Sequence, residues 1–351
     1  MAGAGAFGQN HLRVVRELEQ AGSGVRLVAA VEPEAARAAA VRSHYGIPVF
    51  ASVEEMLAGD SGVQAACVAV PTVHHRAVAA ALLDAGIDVL VEKPLAATLE
   101  EADDLVNRAE RAGRILQPGH LERFNPAVLA IESRLTRPMF FEAHRLSVFT
   151  PRSLDVDVVL DLMIHDLDIV LTFADSPLRE VRAVGLPVVS PKVDIANVRL
   201  EFESGCVANF TASRVSTEKV RKLRFFEPRQ YVSIDYARRD LLVIRMDAGA
   251  ENLPPAVAAA LSSGKVSPAL LAELTAGGGA GPAPGLSFVK PEVAPGEPLR
   301  LEIESFLESV RTRRTPHVTA RQGRAALALA LEIQAAMVAH AARAGLKHFP
   351  G

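Results

Sequence analysis

One short stretch constrains the fold most: an apolar run at residues 87–91 that ends on the tripeptide Glu92-Lys93-Pro94. A run of this length and composition predicts a buried β-strand. Thr98 and Glu101 have the spacing of a capping box, so we expect a helix to begin soon after the strand. In an α/β sheet this order places Lys93 at the carboxyl end of a strand, the edge at which such sheets bind ligands. The alternative is an ordinary strand-to-helix loop with a solvated lysine.

Strand and helix patterns alternate on both sides of this stretch. The predicted elements are strands at 25–31, 49–50 and 63–70 and helices at 53–57, 76–85 and 98–112, and residues 115–118 end this part of the chain. Such units joined by short loops are typical of a doubly wound parallel sheet. Because 351 residues suffice for two domains, we expect a domain built on this parallel sheet at 1–119. A second α/β domain is expected at 120–351.

The chain begins with a glycine-rich turn, Gly3-Ala4-Gly5-Ala6-Phe7-Gly8, which matches G-x-G-x-x-G and precedes a helical pattern. Glycines so placed permit a tight turn and a close approach of the backbone to a pyrophosphate at the helix N-terminus. Only Met1 and Ala2 precede the turn, so the first strand of the expected sheet is missing from the pattern.

Glu32 follows the predicted strand at 25–31, where a carboxylate would accept hydrogen bonds from the adenosine ribose of a dinucleotide. Its charge would repel a 2′-phosphate, so the pattern favours NAD over NADP. The alternative is that Glu32 begins an exposed helix with Pro33 in its first turn. Arg37 is a candidate for stacking on adenine, or else a solvated arginine.

A second informative pattern lies at residues 156–172. Read as a helix, it places Asp161, His165 and Asp168 at positions i, i+4 and i+7 of one face. A carboxylate beside an imidazole raises the imidazole pKa and fixes its orientation, as a general base requires. The alternative is a buried histidine satisfied by a neighbouring aspartate. The chain shows no second cluster of metal-ligand type, so no metal is expected.

The remaining patterns complete the second domain. A strand with one polar face is predicted at 139–148, and the strands at 181–244 predict a large, mostly antiparallel sheet. Residues 252–298 are predicted to be a loop-like insertion with one helix at 255–261. Helices at 301–311 and 320–342 are expected to pack between the domains.

Charge, hydropathy and cysteine content exclude several classes of protein. The net charge of −3 argues against nucleic acid as the main partner. No apolar run reaches the roughly 18 residues of a membrane span, so no membrane partner is expected. Cys67 and Cys206 lie far apart in apolar runs, which is typical of buried thiols in a reducing cytoplasm.

In their order along the chain, these features resemble the Gfo/Idh/MocA oxidoreductases. The residues that carry the resemblance are the glycine turn, Glu32, Pro71-Thr72 with His75, Glu92-Lys93-Pro94, and Asp161, His165 and Asp168. The resemblance implies a Rossmann domain that binds NAD and a C-terminal domain whose open sheet often forms the oligomer interface, here as a homodimer or homotetramer. It also implies a cis bond before Pro94. The implied cofactor-binding residues are Gly3, Gly5, Ala6, Phe7, Gly8, Glu32, Arg37, Pro71, Thr72, His75, Glu92 and Lys93.

Residues 119–126 and 161–166 look like those of the family branch that acts on nucleotide sugars. This resemblance implies NAD-dependent oxidation of a sugar hydroxyl to a ketone, at C3 of UDP-N-acetylglucosamine in amino-sugar and lipid A biosynthesis. The expected substrate contacts are Lys93, His120, Arg123, Asn125, Asp161 and His165. We expect His165, oriented by Asp161, to be the general base and Lys93 to polarise the oxygen, although the sequence also permits the reverse assignment.

Two other functions remain open at this point. One is an inositol- or glucose-type polyol dehydrogenase of the same family. The other is a non-catalytic regulatory protein that binds NAD(H), which would need the glycine turn and Glu32 but not Lys93 and His165 together.

Overall fold

A computed structural model describes residues 1–59, 61–132, 134–150, 156–246, 286–346 and 349 of the chain. The chain folds into two units, the first comprising residues 1–124 and 296–331 and the second comprising residues 125–295 and 332–351. The first boundary lies close to the one expected after residue 119. The C-terminal helices differ from the expectation, because residues 296–331 return to the first unit rather than staying with the second.

The first unit is built from parallel strand and helix units, as predicted. Its helices are α1 (Ala6–Gln20), α2 (Ala35–Tyr45), α3 (Val53–Ala58), α4 (His75–Asp84), α5 (Leu99–Ala112) and α8 (Pro298–Thr312). Its strands are β1 (Ala30–Val31), β2 (Val49–Phe50), β3 (Ala65–Val68), β4 (Asp88–Glu92) and β5 (Leu116–Gly119). They pair in parallel as β1–β2 and as β3–β4–β5. Thr98 caps α5, since the Glu101 N–H donates to Thr98 Oγ1 at 3.2 Å, and the Glu101 carboxylate reaches back to accept from the Ala97 N–H at 3.0 Å.

Ala2 bridges the two parts of this parallel arrangement, pairing with Val31 on one side and Val68 on the other. The predicted strand at 25–31 is too long: only Ala30–Val31 is a strand, because no strand of the described residues pairs with residues 25–29. A cavity of about 320 Å³ lies there, lined mainly by residues 24–29 and 62–67 and by side chains of α8.

The return of α8 to the first unit follows from the apolar face of α1. Val14 and Leu18 of α1 pack in one buried cluster with Leu299 and Ile303 of α8. An apolar helix face must be buried against another element, and α8 from the C-terminal part of the chain covers this face of α1.

The second unit is a mixed sheet with helices. Its strands are β6 (Phe140–Leu146), β7 (Leu178–Leu186), β8 (Ile195–Phe202), β9 (Val207–Ser213), β10 (Val220–Glu227), β11 (Gln230–Asp235), β12 (Asp240–Met246) and β13 (Leu286–Val289). They lie in the order β13-β12-β11-β10-β6-β9-β8-β7, antiparallel except for the parallel pair β6–β9. Its helices include α6 (Pro126–Glu132) and α7 (Ile164–Ala174). The mostly antiparallel sheet is confirmed.

Two features near the C-terminus bear on the sequence predictions. Most of the predicted 252–298 insertion, including its helix, lies outside the described residues, but Leu286–Val289 is a strand rather than loop because it pairs with β12. Helix α9 (Ala320–Ala344) is long and apolar enough to match a membrane span by composition. Its apolar residues Leu327, Ile333 and Met337 are buried within the protein, which explains the composition as that of a core helix.

Candidate active site

The glycine turn of the first unit has the geometry that a dinucleotide requires. Gly3 has a φ of +84°, which other residues rarely adopt. A Cβ at Gly8 would lie 2.1 Å from the Gly3 carbonyl oxygen, so only glycine permits this close packing of turn and helix. At Gly5, the residue before α1, a Cβ would meet nothing within 4 Å. The turn therefore leaves open space beside the N-terminus of a helix, where a pyrophosphate fits.

Glu32 lies against this turn. Its Oε2 accepts a hydrogen bond from the Ala4 N–H at 2.9 Å, and its Oε1 accepts from the Glu34 N–H and the Arg37 guanidinium, both at 3.0 Å. Burial raises the pKa of Glu32, but these hydrogen bonds outweigh burial and lower the pKa below its ordinary value. The carboxylate is thus charged, and Oε2 has a second lone pair that could accept from a donor such as a ribose hydroxyl. Arg37 pairs with Glu32, and its side chain is 51% exposed.

The glycine turn also adjoins the loop after β3. A Cβ at Gly3 would lie 2.8 Å from the Ala69 carbonyl oxygen, just before Pro71 and Thr72. Pro71 is exposed and Thr72 half-buried, so both present surface at this edge of the sheet. The structure thus brings together the glycine turn, Glu32 and the Pro71-Thr72 loop.

The Glu92-Lys93-Pro94 segment lies at the carboxyl end of β4, as predicted. Glu92 is the last residue of the strand, opposite Gly119 of β5, and Lys93 is half-buried. The Lys93–Pro94 bond is cis, as the resemblance implies. Glu92 is nearly buried and its Oε1 lies 2.7 Å from Nε2 of His11, so the structure pairs this carboxylate with a residue of α1.

Two predicted residues of the first unit are more deeply placed. His120 lies just before the 3₁₀ turn Leu121–Phe124 and is 1% exposed. Arg123 lies within this turn and is 2% exposed. A Cβ at Gly323 of α9 would lie 3.8 Å from the His120 ring and 2.4 Å from Pro118. This turn is therefore packed directly against α9.

Sequence reasoning missed two buried groups in this unit. His11 is on the buried face of α1 with 0% exposure. Glu302 of α8 is also fully buried, and neither of its carboxyl oxygens has a hydrogen-bond partner among the described residues. Burial and the negative charge of Glu92 raise the pKa of Glu302 well above its ordinary value, which favours the neutral acid. In each case, the signal that could have identified the residue is a polar side chain at a buried position of a helix.

In the second unit, Asp161 and His165 lie where the helix begins. The predicted regular helix is wrong at this point: Val159–Met163 is a π-helical turn, with the Ile164 N–H donating to the Val159 carbonyl oxygen. Asp161 therefore lies in the wider π-helical turn, and His165 lies in α7, which follows it. Both side chains are half-buried, whereas Asp168 is 2% exposed and belongs to the interior.

A buried ion pair fixes the start of α7 beside His165. Nε and Nη2 of Arg145 donate to the two carboxyl oxygens of Asp166 at 2.7 and 3.0 Å, and both side chains are 3% exposed. The Arg145 guanidinium also lies 5.1 Å from the centre of the Tyr236 ring. Arg145 lies on the same face of β6 as the buried Phe141 and Ala143.

Asn125 joins the same buried group. Its amide nitrogen donates to the Tyr236 carbonyl oxygen at 3.2 Å, and its Oδ1 accepts from the Ala127 N–H at the start of α6. In the structure Asn125 therefore organises the polypeptide around Tyr236, and it is 2% exposed.

Comparison with known proteins identifies the family. A family model described as the oxidoreductase family with NAD-binding Rossmann fold matches residues 1–120, and one for the GFO/IDH/MocA C-terminal domain matches residues 127–229. A UDP-N-acetylglucosamine 3-dehydrogenase of Acidithiobacillus ferrooxidans is 33% identical over 341 residues, 96% of each chain. The chain belongs to the Gfo/Idh/MocA family. It is an oxidoreductase whose first unit is an NAD-binding Rossmann domain, which confirms the predicted family, fold class and cofactor.

Solved structures show the same fold. That of the Acidithiobacillus enzyme has a TM-score of 0.80 at 31% identity, with 96% of each chain covered. A dehydrogenase of Bordetella pertussis, solved in complex with NADH and UDP-GlcNAcA, has a TM-score of 0.72 at 17% identity. It covers 96% of this chain and 94% of the other, a likeness of fold alone. The scyllo-inositol 2-dehydrogenase (NAD(+)) of Bacillus subtilis is 26% identical over 61% of this chain and 66% of its own.

Proposed function

We propose that this Gfo/Idh/MocA protein oxidises the C3 hydroxyl of UDP-N-acetylglucosamine to a ketone, with NAD as the acceptor. The observation that carries the proposal is the extent of the similarity. In sequence, the relative named for this reaction matches 96% of the chain, whereas two inositol dehydrogenases match 61% and 52% of it. Substrate choice in a two-domain dehydrogenase depends on the whole chain, so the full-length match favours the nucleotide sugar.

The proposed chemistry gives each of this chain's residues one role. Bound NAD would accept the hydride. His165 takes the hydroxyl proton as general base and Asp161 orients it. Lys93 stabilises the negative charge that develops on the oxygen. We propose His120, Arg123 and Asn125 as the residues that form the substrate-binding surface, directly or by holding the backbone around it.

The test is formation of NADH from NAD with UDP-N-acetylglucosamine, beside free N-acetylglucosamine, myo-inositol and scyllo-inositol. The expected result is turnover with the UDP-sugar and little with the free sugars. Turnover with an inositol alone would replace the proposal with the polyol dehydrogenase. NAD binding without turnover on any of the four would favour the regulatory protein.

We also propose that the protein assembles as a dimer or tetramer through the sheet of the second unit. One cross-strand row of this sheet is apolar. It runs across the neighbouring strands β9, β6, β10, β11, β12 and β13 and consists of Val207, Phe140, Phe226, Tyr231, Ile244 and Phe288. Each is half-buried, although its neighbours along the strand are largely buried or charged. An apolar row of this length favours a protein partner.

Sedimentation velocity tests the assembly. The wild type should sediment as a dimer or tetramer, and Phe226→Glu should shift it toward monomer, because the new charge lies in the centre of the row. A matched change on the same strand, Lys222→Glu, lies outside the row and should leave the mass unchanged. A monomeric wild type would overturn the proposal.

Both cysteines support a reducing location for this reaction. Cys67 and Cys206 are buried free thiols, and burial raises the pKa of Cys206 to about 11, so this thiol is unreactive. We propose that the protein works in the cytoplasm, where such thiols stay reduced.

A further inference from the structure

Two buried histidines contact the two ends of the Glu92-Lys93-Pro94 segment. Nε2 of His11 lies 2.7 Å from Oε1 of Glu92, and Nδ1 of His75 lies 2.8 Å from the carbonyl oxygen of Pro94. The histidines are 0% and 1% exposed. They come from different helices, α1 and α4, that flank the end of β4. The half-buried Lys93 is the residue between these two contacts.

We propose that His11 and His75 are positioning residues for Lys93. Each holds one end of the segment, and together they fix where the Lys93 ammonium group points. The inference rests on the role proposed above for Lys93. A displacement of about 1 Å in a group that acts on the reacting atoms can lower turnover by about 10²-fold, so the effect of such positioning is measurable.

The contact at His11 links the segment to the glycine turn. The Phe7 ring, in the turn, meets the His11 ring edge to face, with centroids 5.4 Å apart and planes at 74°. His11 therefore lies between Phe7, next to the open space for the pyrophosphate, and Glu92, next to Lys93. The structure thus connects the cofactor-binding turn to the lysine through one buried side chain.

The charges around His11 favour a firm contact. The groups that face it are Cys67 of β3, Glu92 of β4 and Glu302 of α8. Burial lowers the pKa of His11, but its interactions with Cys67 and Glu92 outweigh burial and raise it to about 10. An imidazolium is thus paired with a carboxylate in a dry environment, where a charge-assisted hydrogen bond is strong.

His75 lies between two carbonyl oxygens. Its Nδ1 contacts that of Pro94, and its Nε2 contacts that of Val70 at 2.9 Å. Burial lowers the pKa of His75, so the ring carries one N–H and donates to one of the two oxygens. The Pro94 contact is the shorter and the more buried, and we assign the proton to Nδ1. Both ring nitrogens lie within hydrogen-bond distance of main-chain oxygens, so we assign His75 a positioning role rather than one as a cofactor ligand.

The two contacts use different ring nitrogens, so each histidine should be replaced best by a different amide residue. An asparagine amide nitrogen occupies the position of histidine Nδ1, and a glutamine amide nitrogen that of Nε2. At residue 75, where Nδ1 donates, His75→Asn should keep turnover near the wild-type value and His75→Gln should lower kcat by about 10²-fold. At residue 11, where Nε2 donates, His11→Gln keeps a donor to Glu92 but loses the imidazolium charge. It should therefore lose less turnover than His11→Asn, which should lower kcat by about 10²-fold.

A second readout does not depend on turnover. Lysines are reductively methylated with ¹³C, and the Lys93 resonance is assigned by its absence in Lys93→Ala. His75→Gln and His11→Asn should shift this resonance, whereas His75→Asn and His11→Gln should not. His74→Ala is the matched control for residue 75, since His74 is adjacent and exposed, and it should leave both kcat and the resonance unchanged.

Four outcomes would distinguish the positioning role, a purely structural role and failure of the proposed function. Equal losses for asparagine and glutamine at either residue, or an unshifted Lys93 resonance in all variants, would overturn the positioning role. In the Lys93→Ala background the loss caused by His75→Gln should largely disappear, and a full further loss would assign His75 a purely structural role. A wild type that oxidises no sugar would refute the proposed function, and the resonance comparison would still decide this inference.

Discussion

Lys93→Ala is expected to lower kcat by about 10²-fold or more while the affinity for NAD changes little. Lys93 follows directly on the last residue of β4, at the sheet edge that carries the glycine turn and Glu32. Its proposed role is to stabilise charge that develops on the substrate oxygen only as the reaction proceeds. Removing an interaction made only in the transition state lowers kcat and kcat/KM together and leaves KM nearly constant.

Steady-state kinetics and calorimetric NAD binding measure this effect separately. Lys290→Ala is the control, because Lys290 is an exposed lysine paired only loosely with Asp240, at 3.5 Å and 55% exposure. His165→Ala should lower kcat to a similar degree, since a general base contributes about 10²–10⁴-fold. If Lys93→Ala raised KM for NAD with kcat unchanged, the lysine would be a cofactor ligand without a part in the chemistry.

The fold of the first unit could be predicted well where local chemistry decides it. The Thr98 cap and the strand that ends at Glu92 each depend on residues that are close together in the sequence, so local patterns predict them. The strand at 25–31 was overestimated because pairing is not a local property. An apolar extended segment becomes a strand only where a neighbour supplies hydrogen bonds, and here the Met1 carbonyl oxygen and the Gly3 N–H supply them to Val31.

The candidate site was predictable in its motifs but not in what holds them. Glu92 and His11 are 81 residues apart in sequence, and the pairing of Arg145 with Asp166 joins a strand to a helix. No periodicity encodes such pairs, because a buried charge shows in the sequence only as a polar residue within an apolar pattern. The π-helical turn at Val159–Met163 is equally hidden, since an apolar run fits π and α geometry alike.

The largest stability effect is expected at this Arg145–Asp166 pair. Arg145→Met leaves a carboxylate at 3% exposure without its two hydrogen bonds. Removing one partner of a buried ion pair costs about 3–5 kcal/mol of unfolding free energy. The variant also loses the contact of the guanidinium with the Tyr236 ring. Urea unfolding followed by circular dichroism should therefore show a clearly lower midpoint with an unchanged slope.

The pair Arg182–Glu180 provides the control that separates burial from contact. It has the same shortest distance of 2.7 Å, on strand β7 of the same sheet, but its side chains are 73% and 44% exposed. Arg182→Met should change the free energy of unfolding by less than about 1 kcal/mol. The double variant Arg145→Met with Asp166→Leu should recover most of the stability lost in the single variant, because well-packed apolar residues replace buried ion pairs at little cost. Equal effects at residues 145 and 182 would mean that the buried carboxylate reaches water in solution. Failure of the double variant to recover would instead assign the loss to packing around Tyr236.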